Sequence, residues 1–425
     1  MSLTIRPLNS GYIPTKPLEY WYHFSCKKYV EKMGITNESD QLPDMTFLIE
    51  GGDQLILVDT GMSWTEHADK YHHGPSLQRP GIDDIESRLA QVGYKPSDVD
   101  IVLFTHLHWD HIFYLEKFTK ARFICNEVEW DYAHNPVPLH YKSYCRPIIA
   151  KDGDVTCGDQ FIAPYDQPGV YERFETVKGE VEIAPGVSVY ESFGHCPGHM
   201  TVVVETEEGP YFCVGDSVFV MGNIDAPQEM QDELHYDICP PGRYVDIVAA
   251  WKTVRDTVRR CKEAGVDPHK HLLLAHDVIL SAAVEKYEDS HDNKLPVIGK
   301  KDTDFVFDEY KTAIIDKDAR KAAKKAETAA KQKAARAAFF ASDNRGREEL
   351  KTYNRKPANE DVLYGRDFDG DVTPIEQIDT AIGDVIISGM VRNVEMREIR
   401  NERTIIMFNV TDFTDTITVK VFAKN

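Results

Sequence analysis

Three histidines and one aspartate lie close together in the stretch "THLHWDH", at positions 105–111. They are His106, His108, Asp110 and His111. Imidazole nitrogens and carboxylate oxygens, with no thiolate, suit zinc or another borderline divalent metal at a catalytic site that leaves one position open for water. The residue types and their spacing therefore predict a catalytic metal centre.

Further candidate ligands follow short apolar runs elsewhere in the chain. Asp59 follows "LILV", His195 follows "VSVYESFG", Asp216 follows "YFCVG" and His276 follows "HLLLA". Taken singly, each of these residues is more often an ordinary loop, core or turn residue than a ligand. Strand ends from different parts of a chain can nevertheless converge at one edge of a sheet, and this would bring the candidates together.

The elements that would hold these side chains alternate between strand and helix. Residues 55–58 and 101–104 are apolar runs that predict buried strands. Between these runs, apolar residues recur at helical spacing, namely Ile82, Ile85, Leu89 and Val92. Later, "TVVVETEEGPYFCVGD" predicts a hairpin and residues 247–258 predict a helix. The fold class expected from this alternation is α/β.

Composition places limits on the function. The chain has 425 residues, 42% of them hydrophobic, which is enough for a large core and more than one domain. Its eight cysteines form no C-x-x-C pair, so neither a zinc ribbon nor a disulfide scaffold is expected. No signal segment is recognised, and no apolar run approaches the ~18 residues that span a bilayer. We therefore expect a cytoplasmic protein without a membrane partner.

The acidic charge is concentrated in the first part of the chain. Residues 1–290 carry 25 Lys and Arg against 46 Asp and Glu, whereas residues 291–425 carry 24 of each, giving a net charge of −21. An acidic surface repels polyanions, so nucleic acid is a poor substrate prediction for the first part. The simplest interpretation of the charge is that it maintains solubility.

The motifs also support a family resemblance. "THLHWDH" resembles the H-x-H-x-D-H signature of the metallo-β-lactamase-fold hydrolases, and "VDTG", "FGHCPGH", "VGDS" and "LAHD" resemble that family's other motifs in the same order. The resemblance covers about residues 3–290 and implies an αβ/βα sandwich, with two packed sheets and helices outside. "VDTGM", "QVGYKPSDVD" and "LAHD" are most similar to the N-acyl homoserine lactonase-like branch.

The resemblance implies two divalent metal ions, with Zn²⁺ expected and Fe, Mn or Co as alternatives. The first ion would be held by His106, His108 and His195. The second would be held by Asp110, His111 and His276, with Asp216 bridging both ions.

Other residues receive supporting roles from the same resemblance. Asp59 would orient a ligand by fixing the tautomer of an imidazole. On chemical grounds, Asp110 or a bound water would return a proton to the leaving group. His199, the second histidine of "GHCPGH", would support the ligands or be purely structural. Three histidines match no ligand position and are expected in a lid or on the surface, namely His67, His72 and His73.

The expected reaction is hydrolysis. Two metals about 3.5–4 Å apart can share a water, lower its pKa towards ~7 and direct the resulting hydroxide at a bound carbonyl. The favoured substrate is a lactone, ester or related acyl compound, with N-acyl homoserine lactone-like compounds first. Thioester hydrolysis of the glyoxalase II type is the alternative, and β-lactam hydrolysis ranks third. Iron-binding redox relatives usually carry Glu where this chain has His108, which favours hydrolysis.

The substrate pocket departs from the lactonase pattern. Those lactonases commonly carry a tyrosine three residues after the bridging aspartate, whereas this chain has Phe219, which cannot donate a hydrogen bond. The usual "GGN"-like turn after the histidine motif is replaced by "IFYLEKF", so Phe113 and Tyr114 are expected to shape the pocket. Core packing is an equally good interpretation of these aromatic residues.

The remainder of the chain has a different character. Residues 291–363 are charged and include the Ala/Lys-rich stretch "KDARKAAKKAETAAKQKAARAAFF", which predicts a helical and polar linker. Residues 364–425 resemble part of the N-terminal OB-fold region of the Gram-positive-type DNA polymerase III alpha subunit. "DVIISGMV", "RTIIMFNVTD" and "TITVKVFAKN" predict three strands, whereas an OB-fold has five, so the module is expected to be truncated.

The C-terminal module supports a function hypothesis of another class, single-stranded nucleic-acid binding. Arg392, Arg397 and Arg403 would contact phosphates, and Phe408 or Phe413 would stack on bases. That these are ordinary strand and turn residues is the more economical interpretation.

Overall fold

The computed structural model describes most of the first 305 residues and parts of the C-terminal region. The described residues are 2–32, 35, 40–62, 78–79, 81–146, 162–305, 373, 375, 386–387, 390–399, 403–411 and 416–424. The chain divides into two compact units, residues 1–334 and 335–425. The domain boundaries predicted at residues 290 and 364 stay predictions. His67, His72, His73 and Phe413 lie outside the described residues.

The first unit contains a six-stranded sheet whose strands are adjacent in chain order. Its strands are β1 (Thr4–Thr15), β2 (Asp40–Glu50), β3 (Ile56–Val58), β4 (Ile101–Leu103), β5 (Arg122–Asn126) and β6 (Phe174–Val177). β1 to β3 pair antiparallel, and β3 to β6 pair parallel. The two short runs predicted as buried strands are β3 and β4, whose residues are all buried.

A five-stranded sheet forms the other half of this unit, in the order β11-β10-β9-β8-β7. Its strands are β7 (Val181–Ala184), β8 (Val187–Glu191), β9 (Met200–Thr206), β10 (Gly209–Gly215) and β11 (Leu272–Leu274). β9 and β10 are the predicted hairpin, and β11 adds parallel to β10. Parallel strands are buried on both faces, which accounts for the continuous apolar run "LLL" in β11.

The described helices lie before, between and after the strands. They are α1 (Pro17–Tyr20), α2 (Lys27–Lys32), α3 (Ile85–Gln91), α4 (Glu127–His134), α5 (Gln228–Leu234), α6 (Ile247–Glu263), α7 (Pro268–His271) and α8 (Val278–Ser290). Asp84, Asp246 and Asp277 accept backbone N–H groups at the starts of α3, α6 and α8, so these helices begin at capping aspartates. No described helix is long and apolar enough to cross a membrane.

Side chains from both sheets share one hydrophobic core. Val58 and Leu103 of the first sheet belong to the same buried cluster as Val189 and Val202 of the second. The two sheets therefore pack face to face, as the predicted αβ/βα sandwich requires. Ile298 and Phe305 also belong to this core, so it extends beyond α8.

The second unit contains a three-stranded antiparallel sheet, β12 (Met390–Ile399), β13 (Arg403–Thr411) and β14 (Thr416–Lys424). The last two strands were predicted correctly. Of the first predicted run, "DVIISGMV", residues 384–385 and 388–389 lie outside the described residues; the described strand β12 shares Met390 and Val391 with it and continues through the charged residues that follow. Pairing with β13 determines this position, since local apolar content cannot specify register. Phe408 is half-buried in β13, and nucleic-acid binding by this sheet stays a prediction.

Candidate metal centre

Four strand ends bring the candidate ligands to one edge of the sandwich. Asp59 directly follows β3, and His106 lies three residues after the end of β4, its parallel neighbour. In the other sheet, Asp216 directly follows β10, and His276 lies two residues after β11. Parallel neighbouring strands end at the same sheet edge, so Asp59 lies near His106 and Asp216 lies near His276.

All seven predicted ligands form two adjoining groups, and within each group the ligand atoms lie within 4.8 Å of one another. The first cluster is His106, His108, His195 and Asp216; the second cluster is Asp110, His111 and His276. Asp216 lies between the clusters, because its Oδ2 is 3.2 Å from His195 Nε2 and its Oδ1 is 3.2 Å from His276 Nε2. The metal-ligand roles themselves stay predictions.

The imidazoles of the second cluster are oriented by oxygen acceptors behind them. His111 Nδ1 lies 2.9 Å from Asp59 Oδ2, and His276 Nδ1 lies 2.8 Å from the carbonyl oxygen of Pro43. Each Nδ1–H donates to its acceptor, which leaves Nε2 as the free ligand atom. The Nε2 atoms lie 3.3 Å and 3.2 Å from Asp216 Oδ1.

The first cluster is oriented by a hydroxyl and a carbonyl. Thr105 donates its hydroxyl hydrogen to Asp59 Oδ2, so its oxygen accepts from His106 Nδ1, 3.1 Å away. His195 Nδ1 faces the carbonyl oxygen of Arg243 at 3.3 Å. His195 Nε2 lies 3.0 Å from His108 Nδ1, so the two ring nitrogens face each other within the first cluster.

The electrostatics of the clusters differ. Burial lowers the pKa of His106 and His108 well below 6.5 and that of His195 to about 4. In the second cluster, burial alone would also lower the imidazole pKa values, but the surrounding carboxylates outweigh it. The pKa of His276 rises to about 9, and that of His111 lies well above 6.5. Without bound metal, the imidazoles of the first cluster therefore favour the neutral form, whereas those of the second favour the protonated form.

Unsatisfied polar atoms provide a test of whether metal ions fit here. His106 Nε2, His111 Nε2 and Asp216 Oδ1 are buried and have no hydrogen-bond partner among the described residues. Buried polar groups are normally paired, and leaving one unpaired costs roughly 1–3 kcal/mol. Divalent cations would satisfy all three atoms, and imidazole with carboxylate is the appropriate donor set. The residues present thus fit a dinuclear metal centre.

His199 supports this site from behind. It is buried, its Nδ1 lies 2.7 Å from Ser192 Oγ, and its Nε2 accepts the backbone N–H of Asp216 at 3.2 Å. Burial lowers the pKa of His199 to about 3, which keeps Nε2 available as an acceptor. Its ring therefore holds the backbone of the residue that lies between the two clusters.

The three predicted pocket residues have different surroundings. The Phe219 ring lies between the clusters, with its centroid 5.6 Å from the His195 ring and 5.2 Å from the His276 ring. Phe113 belongs to the hydrophobic core. Tyr114 packs against that core and donates to Gln78 Oε1 at 3.0 Å. Of the three, Phe219 has the stronger structural support for a place in the pocket.

Two buried carboxylates near the clusters were not predicted. Asp44 Oδ2 accepts from Ser10 Oγ at 2.6 Å and from the Met62 N–H at 2.8 Å, and burial raises the pKa of Asp44 to about 7. Glu129 is fully buried beside the loops that carry His106, His108 and His195. Neither residue lies in a recognisable motif. Acidic residues in strands and helices are usually exposed, so no signal in the sequence indicates that these two are buried.

Comparison with known proteins gives a family match and several relatives. Residues 40–263 match the profile of the Metallo-beta-lactamase superfamily. An N-acyl homoserine lactonase of Bacillus thuringiensis is 28% identical over 247 residues, which cover 56% of this chain and 82% of the relative. A crystal structure of a B. thuringiensis AiiA mutant with N-decanoyl-L-homoserine bound has a TM-score of 0.48 at 20% identity, covering 68% of this chain and 97% of that one.

A third comparison concerns the polymerase-like resemblance. The PolC-type DNA polymerase III of Clostridium perfringens is 39% identical over 82 residues, which are 19% of this chain but only 6% of that polymerase. The match is consistent with the resemblance noted for residues 364–425. So small a share of the polymerase carries none of its activity to this chain.

Proposed function

Because the chain belongs to the metallo-beta-lactamase superfamily, we propose that it uses two divalent metal ions, with Zn²⁺ expected, to hydrolyse a lactone or related acyl ester. An N-acyl homoserine lactone-like substrate is favoured. The observation that carries the proposal is the convergence of seven candidate ligand side chains, among which His106 Nε2, His111 Nε2 and Asp216 Oδ1 are buried without a hydrogen-bond partner. A purely structural cluster would have satisfied those atoms with hydrogen bonds.

The two clusters divide the ligands between the ions. His106, His108 and His195 would hold one ion, Asp110, His111 and His276 would hold the other, and Asp216 would contact both. When bound, the ions polarise the substrate carbonyl and activate a water molecule for attack on it.

The chain's own residues orient the ligands and move protons. Asp59 keeps the Nδ1 proton on His111, and through the Thr105 hydroxyl it does the same for His106. The Asp110 carboxylate, buried in the second cluster, is the group we assign to return a proton to the leaving oxygen. In this role Asp110 would take up the proton released by the attacking water and pass it to the leaving oxygen.

No side-chain nucleophile is required. Cys196 is next to His195 in sequence, but burial raises the pKa of its thiol well above 9.0, so it is not a thiolate at neutral pH. Ser217 follows Asp216, but its hydroxyl donates to the carbonyl oxygen of Val214 at 2.7 Å. These two observations support attack by water.

The lactone preference rests on the relatives, and Phe219 is compatible with an acyl group although it departs from the lactonase pattern. The Phe219 ring lies against histidines of both clusters and offers an apolar contact to an acyl group. The B. thuringiensis relative is named an N-acyl homoserine lactonase. Measuring turnover of an acyl-homoserine lactone, a glutathione thioester and a chromogenic β-lactam side by side would separate this substrate class from its alternatives.

Metal content and hydrolysis test the proposal together. We expect about two metal ions per wild-type chain by mass spectrometry, with lactone hydrolysis that a chelator abolishes and added metal restores. His108→Ala should lose metal and activity together. His269→Ala, at a partly exposed histidine outside both clusters, is the matched control and should retain both. A wild-type protein that neither contains nor takes up metal would refute the proposal.

A further inference from the structure

Glu129 is a buried carboxylate to which the motif-based ligand assignment gives no role. It lies near the start of α4, and its side chain is fully buried. Desolvation raises the pKa of Glu129, so burial of this acid has a cost that its hydrogen bonds must offset. A buried carboxylate with several donors usually holds separate chain segments together.

The donors come from both loops of the first cluster. Glu129 Oε1 accepts the backbone N–H of Leu107 at 3.0 Å, and Leu107 lies between His106 and His108. Glu129 Oε2 accepts the backbone N–H of Gly198 at 3.1 Å, three residues after His195. One carboxylate thus connects a loop of the six-stranded sheet to a loop of the five-stranded sheet.

Two further contacts strengthen this connection. The Tyr144 hydroxyl donates to Glu129 Oε1 at 2.8 Å, and the Tyr144 ring lies edge-on to the His108 ring at 4.8 Å. Cys196, adjacent to His195, is also buried, and its burial and the Glu129 charge both raise the pKa of its thiol. Glu129 therefore contacts, directly or through Tyr144, the surroundings of His108 and His195.

Close backbone packing fixes the distance between the loop and the helix. A Cβ atom on Gly198 would lie 2.0 Å from the backbone nitrogen of Glu129, so only glycine permits this approach. Asn126 caps the same helix by accepting the Val128 N–H at 2.8 Å, which fixes its first turn. The carboxylate thus extends from a rigid element towards two loops.

From these contacts we propose that Glu129 is a positioning residue that holds His108 and His195 in register for one metal ion. The inference rests on the proposed function and deepens it. The second cluster has different supports, Asp59 and the Pro43 carbonyl oxygen. Loss of Glu129 should therefore weaken one of the two metal sites selectively.

Glu129→Gln is the discriminating variant. Glutamine has nearly the same shape but only one acceptor oxygen, so it can accept from Leu107 or from Gly198 but not from both. Titrating metal-free protein with Zn²⁺ by calorimetry should give two binding steps in the wild type. In the variant, one step should weaken by about 10–100-fold, the usual effect of losing a partner behind a ligand, while the other is retained.

Controls separate positioning from general destabilisation. Glu288→Gln changes another buried carboxylate, whose Oε1 lies 2.9 Å from Arg88 Nη1 and which belongs to neither cluster. This variant should lower thermal stability without changing either Zn²⁺ step. Tyr144→Phe removes one donor and leaves both loop contacts, so its effect on the same step should be smaller. This variant also keeps the proposal testable if Glu129→Gln does not fold.

The outcomes distinguish this inference from the proposed function. Two wild-type steps with unchanged Zn²⁺ affinity in Glu129→Gln would overturn the positioning role alone. Equal weakening of both steps, matched by Glu288→Gln, would likewise reduce Glu129 to a general structural residue. A wild-type protein that binds no Zn²⁺ would refute the proposed function and the inference together. Selective weakening, with activity restored by excess Zn²⁺, is the result we expect.

Discussion

The two ligand clusters use the same kinds of residue but differ in what surrounds them. In the first cluster, burial lowers the pKa of each of the three imidazoles, so they are neutral ligands at pH 7. In the second, nearby carboxylates raise the pKa of His111 and His276, so protons must leave before a metal can bind. Environment, more than residue type, therefore determines how each site exchanges protons for metal.

Replacing Asp216 should have the largest effect, because this residue lies between the two clusters. It is within 3.2 Å of an imidazole from each cluster. Asp216→Ala should therefore weaken binding of both metal ions, whereas His108→Ala removes a ligand of the first cluster only. Losing several kcal/mol of transition-state stabilisation should lower kcat/KM by about 10³-fold or more.

Metal content and lactone hydrolysis measured on the same samples check this prediction. Asp237→Ala, at an exposed aspartate paired with Arg255, is the matched control and should retain both ions. If Asp216→Ala keeps two ions, the clusters do not share this carboxylate.

The pH dependence of metal affinity should also differ between the two clusters, although this effect is smaller than that of replacing Asp216. Because His276 has a pKa of about 9 in the metal-free protein, it is protonated at pH 7, and its proton must be displaced by metal. Displacing this one proton should lower apparent affinity by roughly 50-fold between pH 9 and pH 7, and the raised pKa of His111 makes the fall steeper.

The imidazoles of the first cluster are already neutral in this range, so filling that cluster should depend little on pH. Calorimetric Zn²⁺ titrations at pH 7, 8 and 9, in buffers of different ionisation enthalpy, would count the protons released at each step. Equal pH dependence of both steps would contradict the difference between the clusters.

The smallest expected effect concerns Phe219, which touches histidines of both clusters. Phe219→Tyr adds a hydroxyl that can donate to the substrate carbonyl oxygen, so we expect kcat for lactones to rise by several-fold, corresponding to about 1 kcal/mol for one hydrogen bond. Phe24→Tyr, at a side chain 75% exposed, is the control. Unchanged kinetics in Phe219→Tyr would place the substrate carbonyl away from this ring.

Much of the fold and the site could be predicted from local sequence. The buried runs before Asp59 and His106 identified β3 and β4, and the family motifs identified every member of the two clusters. Short apolar strands and closely spaced ligands are local patterns, so they leave a direct signal in the sequence. The extent of β12 beyond Val391 was not predicted, because it depends on pairing with the partner strand.

What the sequence alone determined was which residues belong to the two clusters; the tertiary structure decided how their side chains are held. Glu129 is far in sequence from His195, yet it accepts the Gly198 N–H, and Pro43 orients His276 across more than two hundred residues. His111 and His195 are both histidines in recognisable motifs, but their pKa values move in opposite directions. Desolvation and charge proximity depend on the folded surroundings of each ring, which only the packing of the two sheets defines.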